Sequence, residues 1–375
     1  VKTPTKTLLN APVPVLAVSG WSGSGKTTLL EAVIPALVQR GLAVALLKHD
    51  AHGLDVDREG KDSDRLFRAG ADVVVDGPGE SFTRRRPSKE WIQTRSAWWQ
   101  LAPHHDVLLV EGRKHSPFPK IWLSTPDKPT PPDDVVSIIG ELAWTDDRPA
   151  RFLELFDSWI RSAWLDREIW GGVLTGGASR RMGCDKASLI YRGKPFARHV
   201  TDALLTICKD RRRILALGAA VEGCRTIHDP PGVRGPLAGM LGALRWHPSA
   251  AWLVSACDQP LVSENALRWL LDQRAPGRWV IMPRARDGRM MPMPAVYEPQ
   301  AAVLAEDLLE AGRLAPREMA SHPKVYSPTP PAELLSAWAN INTPEDLEAL
   351  KRRGDAISQR ASRISGYDGG DDDSR

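Results

Sequence analysis

Read for hydrophobic rhythm alone, the chain shows one pattern twice: a short unbroken apolar run, a glycine-rich break, then a segment with apolar residues at helical spacing. Residues 13–19 form the first apolar run, which predicts a strand. Past the break, Leu29, Leu30, Val33, Ile34, Leu37 and Val38 recur at the spacing of a helix over 26–40, with Pro35 as a candidate kink and Gly41 as the stop. Further strands are predicted over 42–47, 72–75, 107–110 (ending at Glu111-Gly112) and 135–139, and helices over 64–69, 88–102 and 151–165. Residues 117–132 are proline-rich and predict a surface loop.

The second half repeats this logic. Residues 169–174 predict a strand, again followed by a glycine-rich stretch. Helices over 195–207, 237–246 and 264–273 alternate with strands over 214–217, 252–255 and 279–282. Alternation with apolar strands predicts the α/β class: two domains, each an open, mainly parallel sheet with helices on both faces. The expected domains are 1–165 and 166–353. The tail, 354–375, is rich in Gly, Ser and Asp and is expected to be disordered.

Composition adds limits. At 42% hydrophobic and 26% charged, a chain of 375 residues is globular. A formal net charge of +4 makes no case for nucleic acid, and the clusters 84–86 and 211–213 read as solvated surface. Cys184, Cys208, Cys224 and Cys257 form no C-x-x-C pair, which points to reduced thiols. The first fourteen residues lack the apolar core of a signal peptide, and no run of about 18 apolar residues occurs. A cytoplasmic protein without a membrane or nucleic-acid partner is expected.

The two breaks carry chemistry. Gly20-Trp21-Ser22-Gly23-Ser24-Gly25-Lys26-Thr27 matches the P-loop pattern in its required place, between a strand and a helix. Gly20, Gly23 and Gly25 let backbone N–H groups turn toward phosphates, Lys26 supplies charge, and Thr27 offers a hydroxyl to Mg²⁺. Glu111, at a strand end, is the candidate acid for that ion. The segment 48–57 holds His49, His52, Asp50, Asp55 and Asp57; a transition-metal site and a polar loop facing phosphate both fit it.

The second break, 174–186, is no P-loop. Gly176-Gly177 permits close approach to a phosphate, and Arg180, Arg181 and Lys186 crowd cations beside it. Asp258, after the apolar run 252–255, and Asp229, after Thr226-Ile227-His228, are strand-end acids. Such ends are where open α/β sheets bind ligands, and Asp258 is placed to hold Mg²⁺.

With these residues in view, two resemblances stand out. Residues 20–27, 48–57, Gly60-Lys61-Asp62-Ser63 and Leu109-Val110-Glu111-Gly112 together resemble the MobB-type molybdopterin-guanine dinucleotide biosynthesis adaptor. That likeness, over about 13–165, implies GTP binding and weak GTPase activity; the P-loop itself does not choose guanine. Residues 174–186, Gly193-Lys194-Pro195, Asp229, 235–240, 257–260 and 340–346 resemble the MobA-type molybdenum cofactor guanylyltransferase. Where the first likeness implies a P-loop NTPase-like fold, this one, over about 169–352, implies a Rossmann-like nucleotidyltransferase fold and transfer of GMP from GTP to molybdopterin or molybdenum-molybdopterin. It also implies GTP contacts at Leu174, Thr175, Gly176, Lys186, Asp229 and Asp258, pterin-side positions at Asn340 and Asn342, and a catalytic set of Lys186, Arg181 and Asp258. Other cofactor-synthesis proteins and recipient molybdoenzymes are the implied partners.

The chain departs from the second family twice. Leu217-Gly218 stands where an Asn is usual, and Met291 stands where a polar residue is common. A cytidylyltransferase acting on the same pterin, a sugar-phosphate nucleotidyltransferase and a GTP-dependent delivery module without transferase activity remain the rival readings.

Overall fold

The computed structural model describes residues 12–48, 57–70, 73–84, 101–175 and 186–352. Several expectations lie outside these residues: the His/Asp loop from His49 to Val56, nearly all of the helix over 88–102, most of the glycine-rich loop 174–186, and the tail. The chain divides into two compact units, Val1–Ile160 and Arg161–Arg375. Both are α/β.

In the first unit, β1 (Val15–Gly20), β2 (Val44–Lys48), β5 (Val107–Glu111), β6 (Lys120–Leu123) and β7 (Ile138–Leu142) form one parallel sheet in the order β2-β5-β1-β6-β7. Alternation along β1 explains its central place. Leu16 and Val18 pack into one core with Leu29, Leu30, Val33 and Leu37 of α1 (Lys26–Gln39). Val15 and Ala17 enter a second core with Leu108, Val110 and Phe118. The helix α1 continues through Pro35 to its end.

Three expectations for this unit need correction. The predicted surface loop 117–132 contains β6, which is buried throughout and lies between β1 and β7. Proline on both sides hides a strand of four residues whose Ile121, Trp122 and Leu123 have no exposed surface. Even Lys120 is buried, its ammonium donating to the carbonyls of Ser116, Phe118 and Val136. The strand expected over 135–139 begins later, at Ile138, after a turn through Ser137 at φ 62°. The strand expected over 72–75 exists as β3 (Val73–Asp76), but it pairs antiparallel with β4 (Ser81–Arg84) and joins no parallel sheet. The Gly77-Pro78-Gly79 stretch between them turns the chain straight back, whereas parallel pairing needs a longer crossover.

The second unit holds a seven-stranded sheet. Its strands are β8 (Ile169–Thr175), β11 (Ile214–Gly218), β12 (Arg225–Ile227), β13 (Ala251–Ala256), β14 (Val280–Ile281), β15 (Ala295–Tyr297) and β16 (Val325–Tyr326), in the order β12-β11-β8-β13-β15-β14-β16. The first four named in that order are parallel; β15 runs antiparallel to both neighbours. A small ladder of β9 (Ile190–Tyr191) and β10 (Lys194–Pro195) stands apart. Alternation again assigns the faces: Leu215, Leu217, Trp252 and Val254 enter one core, while Val173, Ile214, Ala216 and Leu253 enter the other. The flanking helices include α4 (Phe196–Cys208), α5 (Pro236–Trp246), α6 (Glu264–Asp272) and α7 (Ala301–Glu310). Neither β15 nor α7 was expected, because Pro292, Pro294 and Pro299 break up that stretch.

The division between the units falls inside the helix α3 (Arg148–Leu165). Trp164 belongs to the second unit's core. Arg274 donates to the Trp164 and Leu165 carbonyls at 3.1 and 3.3 Å and to the fully buried Glu298 at 2.6 Å.

Candidate nucleotide sites

The P-loop begins where β1 ends. Gly20 is packed so closely that a Cβ would stand 2.6 Å from both the Leu123 carbonyl and the Ser24 hydroxyl. Gly25, at φ +82°, takes a left-handed turn that lets α1 start at Lys26. Lys26 Nζ bends back to donate to the Trp21 carbonyl at 2.7 Å and the Gly20 carbonyl at 3.4 Å. Burial lowers the pKa of this amine, and the charge of Glu111 opposes that shift. Thr27 donates its hydroxyl to Glu111 Oε1 at 2.8 Å. The structure thus brings Lys26, Thr27 and Glu111 together at the carboxyl ends of β1 and β5.

Sequence reasoning missed Arg148. Its guanidinium donates to the carbonyls of Ser24 at 2.7 Å, Ser124 at 2.5 Å and Ala143 at 2.9 Å. It pins the P-loop from outside by the oxygen of the peptide whose N–H belongs to Gly25. Burial lowers its pKa, countered by Asp146. No local pattern announces this residue, since the Ser24 contact is 124 positions away. Trp21 was also overlooked. Its ring meets Trp122 edge-on at 5.9 Å, and the Lys114 and Lys128 ammoniums lie 5.0 and 4.7 Å from its centroid.

In the second unit, Lys186 carries the cluster. Its ammonium donates to Asp258 Oδ2 at 3.0 Å and to Asn342 Oδ1 at 2.5 Å. Asp258 lies just beyond β13, and its carbonyl accepts the Ile341 N–H at 2.9 Å. Thr343 Oγ1 accepts the Asp346 N–H at 3.2 Å, and the Asp346 carboxylate reaches back to the N–H groups of Asn342 and Thr343 at 3.0 and 2.9 Å, a capping box at the start of the helical residues 344–352. The two bonds to the carboxylate, Asn342 first, lower the Asp346 pKa. Leu174, Thr175, Lys186, Asp258, Asn340 and Asn342 all line one cavity of about 710 Å³. Met290, Met291, Met293 and Trp338 form its apolar wall, so the unusual Met291 faces the cavity. Gln259, which sequence reasoning placed in the 257–260 motif without a role, and Arg289, which it missed, line it as well.

The Thr175 hydroxyl donates to the Leu217 and Ala219 carbonyls at 3.1 and 2.5 Å. Gly218 explains one family departure. It sits at φ +105°, and a Cβ there would stand 2.2 Å from the Thr175 carbonyl, so no Asn fits this backbone. Asp229 approaches the same spot: its Oδ1 lies 3.7 Å from that Cβ position, and burial raises its pKa. Gly176 and Arg181 lie outside the described residues.

Both units have an acid with one unpartnered carboxylate oxygen among the described residues. Glu111 Oε2 and Asp258 Oδ1 are buried and have no hydrogen-bond partner among the described residues. An orphaned, buried carboxylate oxygen is costly, and Mg²⁺ takes such oxygens while keeping waters and substrate phosphates. Among the described residues there is no cluster of three or more His, Cys, Asp or Glu able to hold a metal. No described helix is long and apolar enough to cross a membrane.

Comparison with known proteins divides the chain in the same way. Residues 15–140 match the family model of molybdopterin guanine dinucleotide synthesis protein B, and residues 171–326 match that of the MobA-like NTP transferase domain. The molybdopterin-guanine dinucleotide biosynthesis adapter protein of Haemophilus influenzae is 39% identical over 34% of this chain and 72% of its own length. The probable molybdenum cofactor guanylyltransferase of Bacillus licheniformis is 30% identical over 48% of this chain and 94% of its own. The crystal structure of molybdopterin-guanine dinucleotide biosynthesis protein A from Archaeoglobus fulgidus covers 50% of this chain and 98% of its own, at 23% identity and a TM-score of 0.41.

Proposed function

The chain belongs to the MobB adapter family through its first unit and to the MobA-like molybdenum cofactor guanylyltransferase family through its second, and on that premise we propose that it joins GMP to molybdopterin. A terminal phosphate oxygen of molybdopterin, or of molybdenum-molybdopterin, attacks the α-phosphorus of GTP in line. The bond from that phosphorus to the bridging oxygen breaks, pyrophosphate leaves, and the dinucleotide remains. The nucleophile is already anionic, so no strong general base is needed.

Lys186 neutralises phosphate charge, exchanging its contacts with Asp258 and Asn342 for the substrate, and Arg181 adds a second cation. Asp258 would hold Mg²⁺ through its orphaned Oδ1; the ion, when bound, supplies charge neutralisation at the reacting phosphates. Asp229 and the Leu174–Gly176 segment contact GTP, and Asn340 and Asn342 face the pterin. The observation that carries this reading is the junction of Lys186, Asp258 and Asn342 in one cavity at the carboxyl ends of β8 and β13. In the first unit, the P-loop binds GTP, with Thr27 and Glu111 as the Mg²⁺ side. Weak GTPase activity there, a cytoplasmic setting, and contact with cofactor-synthesis proteins or recipient molybdoenzymes complete the proposal.

The experiment is incubation of purified protein with each nucleoside triphosphate, Mg²⁺ and molybdopterin, scoring pyrophosphate and dinucleotide. A preference for CTP would replace this reading with the cytidylyltransferase, and GTP turnover without dinucleotide would favour a delivery module. The assignment of 1–165 and 166–353 as separate domains is tested by two fragments, 161–352 and 167–352. The shorter lacks Trp164, which the second unit's core contains. Losing a buried Trp costs about 3–5 kcal/mol, so the longer fragment is expected to melt higher; equal melting would support the boundary at 165/166.

A further inference from the structure

Gln259 follows the acid Asp258 and has 1% of its surface exposed. Both ends of its amide are bonded. Oε1 accepts from the Ala256 N–H at 3.0 Å and from the Ser255 hydroxyl at 3.1 Å. Nε2 donates to the Met293 carbonyl at 2.6 Å and to Asn340 Oδ1 at 2.9 Å. Two of these partners have no choice of role: a backbone N–H only donates, and a carbonyl only accepts. Together they fix which end of the Gln259 amide faces which way.

That orientation propagates outward. Because Nε2 is a donor, the Asn340 atom meeting it is the oxygen, and the Asn340 amide hydrogens are directed away from Gln259. Asn340 is exposed and lines the cavity. Asn342 is set in the same sense by a different donor, since its Oδ1 accepts from Lys186 and an ammonium cannot accept. We infer that Gln259 is a positioning residue that turns the donor end of Asn340 into the cavity, so that this rim reads an acceptor oxygen on the second substrate. The inference rests on the transferase reading for the identity of that substrate. The orientation itself does not depend on it.

Two measurements on the full chain test this. The first needs no turnover. In NMR of the amide-labelled protein, the Asn340 side-chain signal is identified by its loss in Asn340→Asp. Its protons are expected to exchange quickly with water while those of Gln259 are protected; protected Asn340 protons overturn the inference. The second is kinetic. Asn340→Asp keeps an oxygen for Gln259 but removes the donor, and its KM for molybdopterin is expected to rise roughly tenfold with KM for GTP unchanged. Gln259→Met should shift the same constant roughly threefold, again without touching GTP, since Asn340 then rotates freely. An unchanged molybdopterin KM in Asn340→Asp, or equal changes in both KM values in Gln259→Met, overturns the proposal. Inhibition by a phosphate-free pterin identifies the oxygen: if Asn340→Asp weakens it, the ring carbonyl is read, and if not, the phosphate. If wild-type protein makes no dinucleotide, the reaction assignment fails while the exchange experiment still decides the role of Gln259.

Discussion

The P-loop of the first unit and the Lys186 cluster of the second both gather a lysine, an acid and a strand end, yet they hold their charge differently. Lys26 turns onto neutral carbonyls of its own loop, and the acid Glu111 is engaged by the neutral Thr27 hydroxyl. Lys186 is instead paired directly with the acid, Asp258. The first arrangement leaves the ammonium's charge available to an incoming phosphate. The second must trade a 3.0 Å ion pair for substrate contacts before it can act. On the proposed roles, the binding module would present its charge continuously, and the transferase would release it when phosphates and a cation arrive together.

The comparison breaks first at Asp258. Asp258→Ala is expected to lower dinucleotide formation by roughly 10²–10³ at saturating GTP and Mg²⁺, the usual scale for losing one preorganised electrostatic element. Asp258→Asn should also be poor, because it keeps the shape without the charge. Melting temperature and nucleotide binding at the P-loop should stay at wild-type values. Near-normal turnover in Asp258→Ala would place the cation elsewhere and undo the contrast.

Lys26→Ala tests the other side. Losing a charge-assisted contact of about 1.5–3 kcal/mol weakens nucleotide binding at the P-loop by roughly one to two orders of magnitude. Dinucleotide formation should persist. Titration with a fluorescent GTP analogue, alongside the product assay, separates the two; a parallel loss of transfer would mean the sites are not independent.

Arg148 sharpens the difference at smaller scale. Its donation to the Ser24 carbonyl holds the peptide whose N–H is Gly25's, and a P-loop works through such N–H groups. Arg148→Met is expected to weaken P-loop binding several-fold, about one hydrogen bond's worth, and Arg148→Lys to restore part of it. Unchanged affinity in Arg148→Met would show that the loop holds its shape unaided.

Sequence reading reached these sites unevenly, for physical reasons. Lys26, Thr27, Asp258 and Asn342 sit in contiguous motifs, so their neighbours announce them. Gln259 sits in the same 257–260 motif as Asp258, but its role depends on Met293 and Asn340, and Arg148 reaches Ser24 and Ser124; no local spacing records contacts so far apart in the chain. The sheet order shows the same divide. Long apolar runs such as 107–110 and 169–174 appear where expected, whereas β6 is too short and too closely flanked by proline to stand out. Gly218 is legible only in three dimensions: its glycine is required by the Thr175 carbonyl, a contact set by the pairing of β8 with β11.

Asp64 contrasts with Glu111 Oε2 and Asp258 Oδ1, which have no hydrogen-bond partner among the described residues. It is buried, but both of its oxygens are occupied: Oδ1 by Arg84 at 2.9 Å, Oδ2 by the Gly60 N–H at 3.0 Å and by Arg68 at 2.9 Å. The Gly60 N–H foremost, then Arg68 and Arg84, hold its pKa down at about 2. A carboxylate with a depressed folded pKa contributes stability that is complete above its ordinary value of 3.8 and is lost as pH falls through about 2. Asp64→Asn should therefore lower amide protection over 57–70 and 81–84 near neutral pH. The gap from wild type should close as the pH approaches about 2, where the native carboxyl is protonated too. Comparing both proteins at the same pH by hydrogen exchange removes the intrinsic rate. Nucleotide affinity at the P-loop and dinucleotide formation should hardly change, because a fully bonded acid has no oxygen left for a cation. A loss of either activity in Asp64→Asn, with protection intact, would mean that satisfied and vacant carboxylates cannot be told apart by function, and the reading of Glu111 and Asp258 would lose its basis.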